Sequence, residues 1–375
     1  MKNKLLILFL YGLFFSLGYQ AYSQDKRHTF RDSTDGAFDV SDWLLNKKGF
    51  LFVPAIITEP ALDYGGGGGL VFFHSSYSEK SGPPSLTVVL GGGTANGTWS
   101  AGIVHLGFWK EDRIRYMGAL IKPYVNIDFY GSGRVDFLKD NPVLMNMDAW
   151  LLFQQVKFRI AKSDFFLGGR YLLYDTHNSF EIPINIPEFE GIKFNSTLSE
   201  LSLLADYESR NNVFSPTKGL FFELVATYSD DWLGGDGLYG RLWTTLLGYV
   251  PVSKILNVGI RYENSFSFGD IPFYAKPMIR LRGAPLMKYQ NDYTTVIESQ
   301  LTWNVYRRWS LLGFAGIGTA FSDFGKINEG KTVISLGSGF RYKIARKFGM
   351  NMGMDFAFAN GDFAFYFVVG SAWLR

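Results

Sequence analysis

The sequence predicts an all-β protein, a sixteen-stranded antiparallel transmembrane β-barrel, on three observations. From about residue 50 onward the 375-residue chain is a succession of segments alternating between a greasy face and a polar or glycine face. Each is near the length a tilted strand needs to cross a bilayer. Short connections (110–112, 306–308) alternate with long ones (131–146, 176–196, 267–291), as in barrels with turns at one end and loops at the other. The composition agrees: 17% aromatic, 42 Gly and only 19% charged residues, with no long apolar run after the N-terminus to serve as a spanning helix.

The elements follow in order. Lys2 and Lys4 precede an apolar run over residues 5–18, and Ala21-Tyr22-Ser23 offers small residues at the cleavage positions. This is the pattern of an export signal over residues 1–23, with the mature chain starting at Gln24. Residues 24–49 form a short polar N-terminal segment, too short for a periplasmic domain, and residues 50–375 form the barrel. Strands are expected near 51–58, 62–74, 85–93, 97–109, 113–130, 147–160, 164–175 and 198–208. The second half continues with 218–229, 238–250, 255–266, 293–304, 309–320, 332–342, 348–358 and 363–374. The alternation is clearest late in the chain. Leu256, Val258, Ile260 and Tyr262 oppose Asn257, Gly259, Arg261 and Glu263, and Met350, Met352 and Met354 oppose Asn351, Gly353 and Asp355. A period of two with an apolar face toward lipid and a polar face toward the lumen is the barrel signature. Aromatic residues gather at strand ends, where interfacial girdles sit.

Chemistry-bearing motifs are sparse, and no enzymatic activity, cofactor or metal is expected. The chain has no Cys, which removes disulfides, thiolate metal sites and thiol nucleophiles. Its four His (His28, His74, His105, His177) stand apart, so neither a metal cluster nor a Ser/His/Asp set has local support. A G-x-G-x-x-G run at residues 235–240 leads into an alternating segment rather than a helix, which removes the dinucleotide reading. The five glycines at 65–69 lack a following Lys-Ser/Thr and read as a strand bending at a barrel corner. A net charge of +3 gives no footprint for nucleic acid.

Two segments resemble motifs of a known family. Met278-Ile279-Arg280-Leu281-Arg282-Gly283-Ala284 lies in the long loop between the eleventh and twelfth strands. It resembles the hydrophobic-Arg-Gly-aromatic motif in the sixth extracellular loop of the BamA/TamA superfamily of outer-membrane assembly factors, the bacterial surface antigen family. Residues 206–219, with Asp206, Arg210, Asn212, Pro216 and Gly219, look like that family's periplasmic turn between strands eight and nine. Residues 337–373 read like its last three strands, with Gly370 in the final one.

The resemblance implies that the loop folds back into the lumen, where Leu281, Arg282 and Gly283 form the motif and Arg282 bonds the inner barrel wall. Three departures stand out. Ala284 follows the Gly instead of an aromatic, and the chain ends Trp373-Leu374-Arg375. The Asp that ordinarily receives the loop Arg is replaced by Gly316. By the alternation, Glu298 is the first candidate partner, with Glu263 and Asp355 next. The chain looks like the branch of the superfamily without POTRA repeats.

The expected function is therefore a barrel of the outer membrane of a Gram-negative bacterium, bound by outer-membrane lipid, that helps insert or translocate other polypeptides. Client polypeptides and a periplasmic or lipoprotein partner are its expected partners. Its working part would be the seam between the first and last strands, where Pro54 cannot donate to a ladder and suits an edge. A passive pore or solute channel is the alternative, and a receptor using the long loops a third.

Overall fold

The computed structural model describes residues 30–46, 50–74, 85–131, 138, 141–181 and 192–373. The export signal expected at residues 1–23 lies outside them. The described strands form one sheet in strict chain order, sixteen strands each antiparallel to the next. The first eight are β1 (Phe50–Ile57), β2 (Gly65–Phe73), β3 (Leu86–Thr94), β4 (Trp99–Trp109), β5 (Ile114–Phe129), β6 (Val143–Arg159), β7 (Phe165–Glu181) and β8 (Ile192–Glu208). The others are β9 (Gly219–Ser229), β10 (Tyr239–Pro251), β11 (Leu256–Gly269), β12 (Tyr293–Tyr306), β13 (Trp309–Phe321), β14 (Lys331–Ala345), β15 (Met350–Ala359) and β16 (Asp362–Val369). A single-turn helix α1 (Ser41–Asn46) precedes β1.

The alternation read from the sequence sets the faces. On β11, Ile260 and Tyr262 are exposed while Arg261, Glu263 and Ser265 are buried. On β14, Ile334 and Leu336 are exposed and Val333 and Ser335 are buried. Water would invert this pattern, so the apolar face is the one that meets lipid. Two aromatic stacks mark the ends of the band. Trp109 stacks on Tyr116 at 5.5 Å and Trp99 on Tyr124 at 6.5 Å between ring centroids. The two tyrosines are eight residues apart on β5, about 20 Å of height for a strand tilted near 40°. That is close to the thickness of an outer-membrane hydrocarbon band.

The glycine run belongs to β2, where the backbone of β3 comes close. A side chain at Gly65 or Gly67 would stand 2.2 or 2.4 Å from the carbonyl oxygens of Gly93 and Gly91. Only a bare backbone allows that approach.

Consecutive strands pair continuously, from Phe50↔Phe72 in β1–β2 to Met352↔Val369 in β15–β16. No ladder is recorded among the described residues between β1 and β16, so the barrel is nearly closed. The Tyr64 and Phe365 rings, stacked 5.6 Å apart, bridge this seam. Pro54 lies within β1, opposite Gly68.

Three boundaries differ from the sequence expectation. The β7–β8 hairpin reaches outward to Glu181 and Ile192 rather than ending near residues 175 and 198, and β6 begins at Val143 rather than 147. Gly370 is not in the final strand. It follows β16 directly at φ +81°, a left-handed conformation that suits glycine, and turns the chain out of the sheet. Asp206 lies near the end of β8, within the strand expected over 198–208.

Candidate functional site

The connection between β11 and β12 carries Arg282 onto the buried polar face of β12–β15. Its Nε donates to Glu298 Oε1 at 2.8 Å, and its Nη1 donates to Asp355 Oδ2 at 2.8 Å and to Gln300 Oε1 at 3.0 Å. The guanidinium also lies 3.5 Å from the centre of the Phe314 ring. Neither carboxylate serves Arg282 alone. Arg341 from β14 makes two further bonds to Asp355, at 2.7 and 3.0 Å, and Arg261 from β11 lies 3.3 Å from Glu298. Glu263 belongs to the same group, its carboxylate 3.8 Å from Arg261, which also donates to the carbonyl oxygen of Arg280. Three arginines and three carboxylates thus balance in a site where Glu298 and Asp355 are 1% and 0% exposed. Balance is what the physics demands, because an unpaired buried charge costs several kcal/mol and arginine cannot shed its proton.

The backbone on either side is fixed as firmly. The Ser335 hydroxyl donates to the Arg282 carbonyl at 2.5 Å, and the Gly283 N–H donates to the Tyr366 hydroxyl at 2.9 Å. Gly283 adopts φ +91°, with the Ala359 backbone 3.1 Å from where a Cβ would stand. Leu281, Ile279 and Ala284 are buried in a cluster with Tyr289, Val296, Ala320, Val333 and Ala359. Gly316 has no room for a side chain. Gly316 is the register partner of Glu298, and a Cβ there would stand 2.7 Å from Leu281 and 3.1 Å from the Glu298 side chain. The space beside Gly316 holds Leu281, and the acceptors of Arg282 stand on β12 and β15.

Further along the same connection, Ile271, Tyr274 and Met287 pack with Ile127, Met145, Met147, Leu198 and Tyr239 from the strand walls. This second, apolar cluster lies toward the long-loop end of the barrel.

The turn residues do not form one group. Asp206 pairs with Lys157, which also reaches Glu223 at 3.1 Å. Arg210 forks onto Glu208 at 2.8 and 2.5 Å and covers Phe221. Asn212 does the long-range work. Its amide donates to the Phe348 carbonyl at 2.9 Å, in the turn between β14 and β15, and its oxygen accepts from the Ser215 N–H at 2.8 Å. Ser215 in turn accepts from Asn351, whose carbonyl accepts from the Gly370 N–H at 2.6 Å. Pro216 completes this turn and Gly219 starts β9 at φ +106°. The β8–β9 turn therefore crosses to the short-turn ends of β15 and β16, half the sheet away.

Two features went unread in the sequence. Trp373 is only 4% exposed, packs with Phe221, Leu247 and Tyr249, and donates its indole N–H to Glu298 Oε2 at 2.7 Å. The other is the N-terminal segment. Arg308, in the β12–β13 turn, is held by Asp32 at 2.7 Å, Asp35 at 2.7 Å and Asp39 at 2.6 Å. Arg346, in the β14–β15 turn, pairs with Asp32, and Lys347 with Asp42 at 2.5 Å. Three acids at positions 32, 35 and 39 were the available signal.

The charges of this clasp respond as their contacts require. The Arg346 guanidinium, with the Thr34 N–H, holds the Asp32 carboxyl well below the usual carboxylate range. Arg308 does the same for Asp35. Burial opposes ionisation of Asp39, but the Ser41 hydroxyl, the Arg346 N–H and Arg308 outweigh it. A carboxyl whose folded pKa is depressed adds stability that is full above its unfolded value and fades as pH falls through the folded one. Protease digestion at graded pH should therefore find residues 30–46 protected at neutrality and progressively cleavable below about pH 4. Arg31, Asp42, Arg307, Lys343 and Lys347 are the other charged groups on these elements. Cleavage that does not change between pH 7 and pH 3 would refute a clasp of ionised carboxylates.

Strand number, lipid-facing exposure and a polar interior place the protein in the class of transmembrane β-barrels. Residues 156–279 match the model of the Omp85 superfamily domain. Among solved structures, the barrel matches BamA from Haemophilus ducreyi lacking POTRA domains 1–3, at TM-score 0.59 and 14% identity over 86% of this chain and 70% of that one. It also matches CdiB from Acinetobacter baumannii (TM-score 0.55, 10% identity, 85% of this chain and 59% of that one). CdiB from Escherichia coli gives TM-score 0.54 at 11% identity over 86% of this chain and 60% of that one. No curated protein matches the chain in sequence.

Proposed function

We propose that this protein is an Omp85-type outer-membrane factor that inserts or translocates polypeptides, using the β1–β16 seam as the client entry edge. The observation that carries the reading is the seam itself. Two eight-residue strands face each other there without a recorded ladder, and β1 presents Phe52, Val53 and Ile56 exposed. An unpaired edge templates an incoming strand through main-chain bonds, and few bonds make its opening cheap. In this reading residues 1–23 are cleaved on export, and a periplasmic or lipoprotein partner delivers clients.

The loop between β11 and β12 lies inside the lumen, with Leu281, Arg282 and Gly283 pinning it to Glu298 and Asp355. The apolar cluster above it disfavours the passive-pore alternative, because those side chains would obstruct a water-filled path. The likeness to BamA and CdiB supports the fold beneath the reading.

The test exploits the absence of native cysteine. Tyr64→Cys with Phe365→Cys, joined by a short thiol cross-linker, should lock the seam. Reporter-barrel assembly in vesicles containing the locked protein should fall to background and recover on cleavage of the linker. Full activity in the locked state would sink the seam reading.

A further inference from the structure

We infer that residues 30–46 form a strap across the periplasmic end of the seam that restrains its opening. The inference rests on the seam reading above and adds its regulation. The argument is one of connectivity. The strap is fastened to the turns beyond β12 and β14: Arg308 takes Asp32, Asp35 and Asp39, and the Val40 N–H donates to the Ile344 carbonyl at 2.9 Å. The Lys347 N–H donates to the Ser41 hydroxyl at 3.1 Å, which sets the start of α1 on the β14–β15 turn. Yet the same chain enters β1 at Phe50, and β1 pairs with β2 on the other side of the seam. Asn46 and Phe50 are four residues apart and so lie within about 14 Å of each other. The chain is thus fastened to the β14 bank through Ser41 and enters the β1 bank at Phe50, so it joins the two banks of the seam.

Its fastening suits a restraint. Arg308 is 5% exposed and also donates to the carbonyl oxygens of Phe38 at 3.0 Å and Lys343 at 3.3 Å. The Tyr342 hydroxyl adds a bond to the Phe38 carbonyl at 2.8 Å. These groups hold the strap to the β14 bank by charge and by backbone, while the bond to β1 is covalent. Parting β1 from β16 requires the clasp to release or the strap to stretch. A client or delivering partner that competes for Arg308 would free the seam.

Hydrogen exchange on the full chain in lipid nanodiscs tests this. The variant Asp32→Asn/Asp35→Asn/Asp39→Asn removes the clasp without altering the barrel. Amides of β1 and β16 should then exchange about tenfold faster while those of β8–β10 stay unchanged. Conversely, Ser41→Cys with Lys347→Cys, oxidised, should slow exchange at β1 and β16 relative to its reduced form. Unchanged β1 and β16 in both variants would overturn the inference. So would uniform acceleration of all strands, which would make the clasp a general support of the fold. The two readings fail separately. If locking the seam leaves assembly intact while releasing the strap speeds exchange, the function is wrong and the strap stands. The reverse pair of results removes only the strap.

Discussion

Arg282→Ala should cost the barrel a large part of its heat resistance and release the loop between β11 and β12. The side chain is nearly buried and neutralises parts of two carboxylates, Glu298 and Asp355, that have no access to water. Removing it leaves three carboxylates facing two arginines, Arg261 and Arg341. Breaking a buried pair from one side costs about 3–5 kcal/mol, since the remaining charge is stranded. The backbone bonds from Ser335 and Gly283 cannot compensate, because they fix the loop chain and not the charge. The temperature at which the folded band converts to the slower form on gels should drop clearly. Cells should also become sensitive to a large hydrophilic antibiotic as the loop loosens. Arg282→Lys should recover only part of the loss, since one ammonium cannot fork between Glu298 and Asp355. Wild-type heat resistance in Arg282→Ala would show that the loop is held by its apolar residues alone.

What the sequence reveals about this site depends on how local the cause is. A period of two assigns each side chain to a face wherever one face meets lipid, so the sequence alone places Glu298 and Asp355 opposite the greasy set. Choosing among carboxylates needs register as well. Arg261 is the residue across from Glu298, and it draws Glu263 to itself. The β7–β8 hairpin was underestimated for a related reason. Around Thr176, Asn178, Asn195 and Ser196 both faces are polar, and alternation vanishes where the strands leave the lipid. The strap was harder still. Asp32 and Arg308 are 276 residues apart, and an acidic segment beside a two-arginine turn carries no periodic signal that would join them. The same holds for Trp373, whose partners come from β9, β10 and β12.

Trp373→Ala should be nearly as damaging, and its pattern of damage separates two roles. The indole fills space against Phe221, Leu247 and Tyr249, and its ring would collide with a side chain at Gly259, 2.9 Å away. Emptying such a site costs about 3–5 kcal/mol. Trp373 also supplies the N–H that satisfies the second oxygen of Glu298, the oxygen Arg282 does not use. Trp373→Phe keeps most of the packing and loses only that bond, so it should cost about 1.5–3 kcal/mol, the range for a hydrogen bond to a charged group. The consequence reaches the seam. Gly370 turns the chain out of β16 and sends Trp373 to the inner wall of β9–β12, so the tail tethers the last strand from inside. In Trp373→Ala the C-terminus should become open to carboxypeptidase in the folded, unheated protein, while in Trp373→Phe it should stay protected. Equal resistance of wild type and Trp373→Ala would mean that the ladder to β15, not the buried indole, holds the end of β16 in place.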